Sequence, residues 1–100
     1  MDCIRIRRGD YGFELVFRLY RLDGSDVVVP DNADIRLEIY DTRWSLVKTI
    51  TGRKTGESTV AIPIGSSITD DMDGRYYAVL VLEVPDQYRE SSEPICLEVW

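Results

Sequence analysis

Phe13-Glu14-Leu15-Val16-Phe17-Arg18-Leu19-Tyr20 is the stretch that decides the fold class. Alternate side chains of a strand point to opposite faces, so Phe13, Leu15, Phe17 and Leu19 share one face and Glu14, Val16, Arg18 and Tyr20 the other. A helix would scatter the four large apolar residues around its circumference. The reading is a half-buried strand over residues 12–20.

The same alternation recurs on both sides. Residues 3–7, Cys-Ile-Arg-Ile-Arg, predict a first strand, ended by Gly9 and Asp10. Within Arg8-Gly9-Asp10, glycine is read as the turn residue that admits a positive φ. Asp23-Gly24-Ser25 is a turn signal. The Val27–Val29 run before Pro30 reads as a short edge segment. Ile35, Leu37 and Ile39 alternate with Arg36, Glu38 and Tyr40 over residues 34–41, and a less regular strand follows at 45–51. Asp41-Thr42-Arg43-Trp44 is short enough to join them as a hairpin. Residues 52–57 read as a charged, glycine-bearing loop, and Val60, Ile62 and Ile64 as the next strand. Residues 75–84 form the most apolar segment, and 94–100 a last strand.

Between the strands, Ser66 and Ser67 precede the acidic run Asp70, Asp71 and Asp73. Serine caps free N–H groups and glycine ends helices, so one short helical turn is expected over 65–74, anchored by Ile68 and Met72. Residues 1–100 therefore predict a single all-β domain: an antiparallel β-sandwich of about seven strands with one short helical turn. Phe13, Leu15, Phe17, Leu37, Ile39, Ile62, Leu80, Leu82 and Leu97 are the expected core.

Composition narrows function. The formal net charge is −6, which disfavours nucleic acid as a partner because phosphate binding needs a concentrated basic surface. The cluster Arg5, Arg7 and Arg8 reads as a solvated strand face. No stretch approaches the ~20 apolar residues of a membrane span. Met1 is followed at once by charge, so no secretion signal is read, and synthesis in the cytoplasm with free Cys3 and Cys96 thiols is the expectation. By alternation both cysteines point away from the main core, and Arg5 or Arg7 pairs with Glu98 if the terminal strands are neighbours.

Chemistry finds no foothold. There is no histidine, so the commonest general base and neutral metal ligand is missing and neither cysteine has an activator. Asp70, Asp71 and Asp73 lack the ligand spacing of a calcium loop and read as a solvated turn. The expectation is a non-enzyme with no cofactor and no metal. Tyr20, Tyr40, Tyr76, Tyr77, Trp44 and Trp100 leave a carbohydrate-binding or adhesion module as the alternative.

The order of features carries a family resemblance. The strand after Arg8-Gly9-Asp10, the Leu22-Asp23-Gly24 turn, the Ile35-to-Ile39 strand and Val60-Ala61-Ile62-Pro63 come first. Ser67-Ile68-Thr69 then leads into Asp73-Gly74-Arg75-Tyr76-Tyr77 and a long apolar strand. Over residues 8–84 this resembles the N-terminal immunoglobulin-like domain of phage baseplate upper proteins. The resemblance implies a structural protein of a bacteriophage virion, an adaptor or decoration subunit of tail, baseplate or capsid. Its implied partners are other virion proteins, as a homo-oligomer or within a larger assembly. The implied location is the virion, after synthesis in the host cytoplasm.

The strand at 76–84 adds a candidate interface. Ala78, Leu80, Leu82 and Val84 form one apolar face and Tyr77, Val79 and Val81 a second. A contiguous apolar set on a sheet suggests a partner surface. The expected interface is therefore Val16, Tyr20, Tyr77, Val79 and Val81, with residues 26–32 as the loop that would otherwise cover it.

Overall fold

A computed structural model describes residues 2–100. Nine strands form two sheets: β1 (Ile4–Ile6), β2 (Phe13–Arg18), β3 (Asp34–Tyr40), β4 (Leu46–Thr51), β5 (Arg53–Lys54), β6 (Thr59–Ile64), β7 (Gly74–Val84), β8 (Tyr88–Ser91) and β9 (Ile95–Val99). The larger sheet has the order β1-β9-β7-β3-β4, with β8 sharing an edge of β7 with β9, and the smaller has the order β2-β6-β5. The all-β sandwich expected from the alternating pattern is the observed architecture. All pairings are antiparallel except that of β1 with β9, which is parallel.

The core lies between the sheets, where Leu37, Ile39, Ile62, Leu80, Leu82 and Leu97 are buried as their strand phases require. Phe13, Leu15 and Phe17 face the same way but stay half-buried, because β2 is the outermost strand of its sheet. Burying a residue of this size contributes on the order of 1.5–3 kcal/mol, so these six carry much of the fold.

Gly52 is the point where the chain leaves the large sheet for the small one. Its N–H donates to the Ile35 carbonyl at 2.8 Å, and β5 begins at the next residue. A Cβ at this position would lie 2.5 Å from Ile62 Cδ1 and 2.8 Å from the Ala61 carbonyl oxygen, so only glycine fits the crossing.

Four local expectations are corrected. The segment 65–74 contains no helix but successive tight turns, with Ile68 N–H donating to Gly65 and Met72 N–H to Thr69. The side-chain anchoring expected there does hold: Met72 is buried and Ile68 packs on the core. The run 27–29 forms no strand; only an isolated Tyr20–Asp26 bridge precedes it, and Val29 plugs the core. Residues 53–54, expected as loop, pair with β6 as β5, and the polar Tyr88–Ser91 segment pairs with β7 as β8. Finally, Cys3 and Cys96 are joined as a disulfide, not free.

The turn reading of Gly9 agrees with its φ of 89°. Its N–H donates to Thr69 Oγ1 at 2.9 Å, tying the first turn to the 65–74 segment.

Candidate functional site

The five residues expected to form one interface lie on two different sheets. Val16 belongs to β2 and Tyr20 follows it, whereas Tyr77, Val79 and Val81 belong to β7. Strand β2 pairs only with β6, so its outer residues cannot extend the outer face of β7. Val81 also offers no surface: it is fully buried, yet it lies outside the inter-sheet core.

The cover over Val81 is charged. Its cross-strand neighbour Arg36 reaches Glu83 at 3.0 Å and Glu38 at 3.2 Å. Glu38 also accepts from the Tyr40 hydroxyl at 2.8 Å and faces Arg89 of β8 at 3.5 Å. These side chains close over the valine with their charges paired, and Arg36 and Glu38 are themselves largely buried, at 25% and 12% exposed. Residues 26–32, weighed as a cover, pack elsewhere.

This cluster sets its own electrostatics. Burial alone would raise the Glu38 carboxyl, but hydrogen bonds from Tyr40 and Arg36, with the Arg36 and Arg89 charges, outweigh it and hold the group below its ordinary value. The hydrogen bond to Glu83 and that to Glu38 raise the Arg36 guanidinium against its desolvation. The hydrogen bond to Glu38 likewise raises the Tyr40 phenol.

Val16 and Tyr20 remain exposed, at 66% and 69%. They flank an open strand edge. In an antiparallel pair, alternate residues turn their N–H and C=O away from the partner. Leu19 N–H donates to the Ser58 carbonyl, which places the odd-numbered residues of β2 in the ladder to β6. Glu14, Val16 and Arg18 therefore direct their backbone groups to the side that no strand pairs. The charges that usually protect such an edge are satisfied internally: Glu14 pairs with Arg53 at 2.7 Å and Arg18 with Asp26 at 2.9 Å.

At the C-terminal end of this edge, from Phe17 onward, opens a groove of about 930 Å³ between the two sheets, with Phe17, Leu19, Leu22, Leu80, Leu82 and Ile95 among its lining residues. The Arg21–Glu90 pair, 3.4 Å, ties its two sides across the mouth. Leu22 is fully exposed at the rim. Sequence reasoning missed this groove. Leu22 beside Asp23-Gly24 read only as part of a turn, and the facing wall is built by β8, whose polar sequence carries no strand signal.

A second cluster sits on the outer face of the large sheet. Trp44 stacks on Tyr77 with ring centroids 4.8 Å apart and planes within 10°, and lies 6.0 Å from Tyr40 at a tilt. Tyr40 and Tyr77 are direct cross-strand partners. The disulfide lies next to them, since Cys96 pairs with Tyr77 across β7 and β9. Arg75, Tyr77 and the two cysteines line a recess of about 280 Å³.

Among the described residues no group of three or more histidine, cysteine or acidic side chains is placed to hold a metal ion. Of the acidic run, Asp71 pairs with Lys48 at 2.7 Å and Asp73 with Arg8 at 3.7 Å. No family model, curated protein or solved structure matches the chain.

Proposed function

We propose that this chain is a non-enzymatic structural subunit of a bacteriophage virion, an adaptor or decoration protein of the tail, baseplate or capsid. It works by binding neighbouring virion proteins, as a homo-oligomer or within a larger assembly. The observation that carries the binding mode is the open edge of β2 beside an apolar groove. An extended segment of a neighbouring subunit adds there as a strand: its backbone meets Glu14, Val16 and Arg18, and the side chains of its end beside Arg18 enter the groove.

Two further points support the reading. The order of sequence features over residues 8–84 resembles baseplate upper proteins. The Cys3–Cys96 disulfide suits a particle that leaves the reducing cytoplasm.

The test is composition and incorporation. Purified particles of a phage encoding the chain should contain it at a fixed copy number. Leu22→Glu should lower that number while the isolated protein keeps its β-sheet circular dichroism. Absence of the chain from purified particles refutes the virion assignment, and normal incorporation of the variant refutes the groove as its contact.

A further inference from the structure

We infer that the Trp44–Tyr77 plate is a binding site for an acidic sugar, a pyranose bearing a carboxylate or sulfate. This goes beyond the strand-edge contact, which lies on the other sheet.

The starting point is a backbone cost. Trp44 sits at φ 63°, in the left-handed region that bulky side chains avoid. The β3–β4 hairpin imposes it. Trp44 N–H donates to the Asp41 carbonyl at 3.0 Å, and Asp41 N–H to the Ser45 carbonyl at 3.0 Å. The Asp41 carboxylate also accepts from the Arg43 and Ser45 N–H groups at 2.9 and 3.0 Å. Hairpins of this kind place a left-handed residue after the turn, where glycine fits without strain. A tryptophan kept there at a cost points to a role for the side chain.

The geometry says which role. One face of the indole lies flat on Tyr77, and Trp44 is still 54% exposed. The plate is held in advance: Tyr40 flanks it and is itself pinned through its hydroxyl to Glu38. A flat, open, immobilised aromatic face suits the C–H face of a pyranose and loses little entropy on binding.

Charge selects an acidic ligand. Among the described residues, nine of the 12 lysines and arginines lie within salt-bridge distance of a carboxylate. Arg7, Arg43 and Arg75 do not, and Arg7 lies over the Trp100 ring at 5.6 Å. The two that remain belong to the segments that carry the plate. Arg43 precedes Trp44 in the hairpin, and Arg75 lies two residues before Tyr77 on the same face of β7, at the recess beside the disulfide. Arg75 shares that recess with Tyr77, and its cross-strand partner Glu98 is engaged by Arg5 at 3.3 Å, so in a chain of net charge −6 this guanidinium complements an anion, and guanidinium binds carboxylate or sulfate in a bidentate manner. Two isolated cations match one or two acidic groups on a sugar. They do not provide the continuous basic track that a nucleic-acid backbone needs.

The experiment is an NMR titration of the whole chain, following the backbone amide resonances of Asp41, Ser45 and Tyr77, which the parent and every variant retain. The probes are a uronic-acid tetrasaccharide, a sialylated and a sulfated oligosaccharide, a neutral tetrasaccharide and an oligothymidylate. At least one acidic sugar should give a saturable shift at concentrations up to ~10 mM, about tenfold tighter than the neutral sugar. Arg75→Gln should reduce its affinity to the neutral level. Trp44→Gly should abolish binding without lowering the melting temperature, because glycine relieves the backbone at that position. The inference is overturned if no acidic sugar saturates, if Trp44→Gly binds as well as the parent, or if the oligothymidylate binds more tightly than every sugar.

Discussion

Cys3 and Cys96 stand beside each other on the parallel β1–β9 pair, with Cα atoms 4.5 Å apart, and their disulfide closes nearly the whole chain into one loop. The bond lies on the outer face of the large sheet, away from the inter-sheet core. Its main effect is therefore on the unfolded chain, whose freedom a closure across 93 residues restricts. A paired Cys3→Ser, Cys96→Ser variant should keep the sandwich but lose about 2–5 kcal/mol of stability. Denaturant unfolding with and without reductant measures this. An unchanged midpoint on reduction would show that the bond adds nothing.

Burial separates two valines that share a residue type and a strand-face position. Val81 is fully buried beneath the Arg36–Glu83–Glu38–Arg89 cluster, and Val16 is exposed. Val81→Glu should unfold the domain, because an unpaired charge would be sealed under the ion pairs. Val16→Glu should shift stability by no more than about 0.5 kcal/mol. Within the core, Leu37→Ala or Leu80→Ala should cost about 2–5 kcal/mol. Equal melting temperatures for the Val81 and Val16 variants would contradict this arrangement.

Glu38 gives the fold an acid sensitivity. Its side chain is 12% exposed and its carboxyl is held below the ordinary value, the Tyr40 and Arg36 contacts overcoming desolvation. A depressed carboxyl contributes stability that is present above its unfolded value, about 4.3, and is lost as pH falls through the folded value. Exposed Asp31 and Asp71, lowered by Lys54 and Lys48, act in the same direction with smaller weight. Stability should therefore fall on acidification below about pH 4.5, and less steeply in Glu38→Gln. That variant should itself cost about 1–3 kcal/mol near neutrality, since Arg36 loses a partner. Parallel pH–stability curves for parent and variant would contradict the role of Glu38.

Gly52 and Gly65 offer an internal control. Gly52→Ala brings a Cβ against Ile62 Cδ1 and the Ala61 carbonyl oxygen, whereas nothing lies within 4 Å of a Cβ at Gly65. Gly52→Ala should destabilise by about 1–3 kcal/mol. Gly65→Ala should be neutral or stabilise by up to about 1 kcal/mol. Similar melting temperatures for the two would show that the crossing at residue 52 tolerates a side chain.

Most of the sandwich was legible because its long strands alternate. Phe13 to Leu19, Ile35 to Ile39 and Ala78 to Val84 each place alternate large apolar residues on the face that meets the opposite sheet. The polar β8 was not legible, because its pairing depends on β7 lying alongside rather than on its own side chains. The free-thiol reading failed for a different reason: it rested on the lack of a visible secretion signal, whereas Cys3 and Cys96 are joined. Alternation placed both cysteines outside the core, and the Arg5–Glu98 pair was anticipated and is present at 3.3 Å. Only the β1–β9 register, however, brings Cys3 against Cys96. The interface residues split between sheets because alternation assigns a face within a strand but not the sheet to which the strand belongs. Trp44 likewise read as part of a hairpin; its left-handed backbone and its seat on Tyr77 follow from the Asp41 turn geometry.

In the proposed assembly a neighbouring chain adds as a strand to the open edge of β2. The most direct test is incorporation of Val16→Pro into particles, measured as copies per virion by quantitative mass spectrometry. Val16 directs its N–H outward, so proline removes no bond of the β2–β6 ladder, and an edge strand tolerates it there. The account predicts that the variant folds, with parental circular dichroism and cooperative unfolding, and is incorporated at least about tenfold less well, as the loss of a backbone contact and the ring's clash with an incoming strand require. Incorporation at the parental level by the folded variant would contradict it.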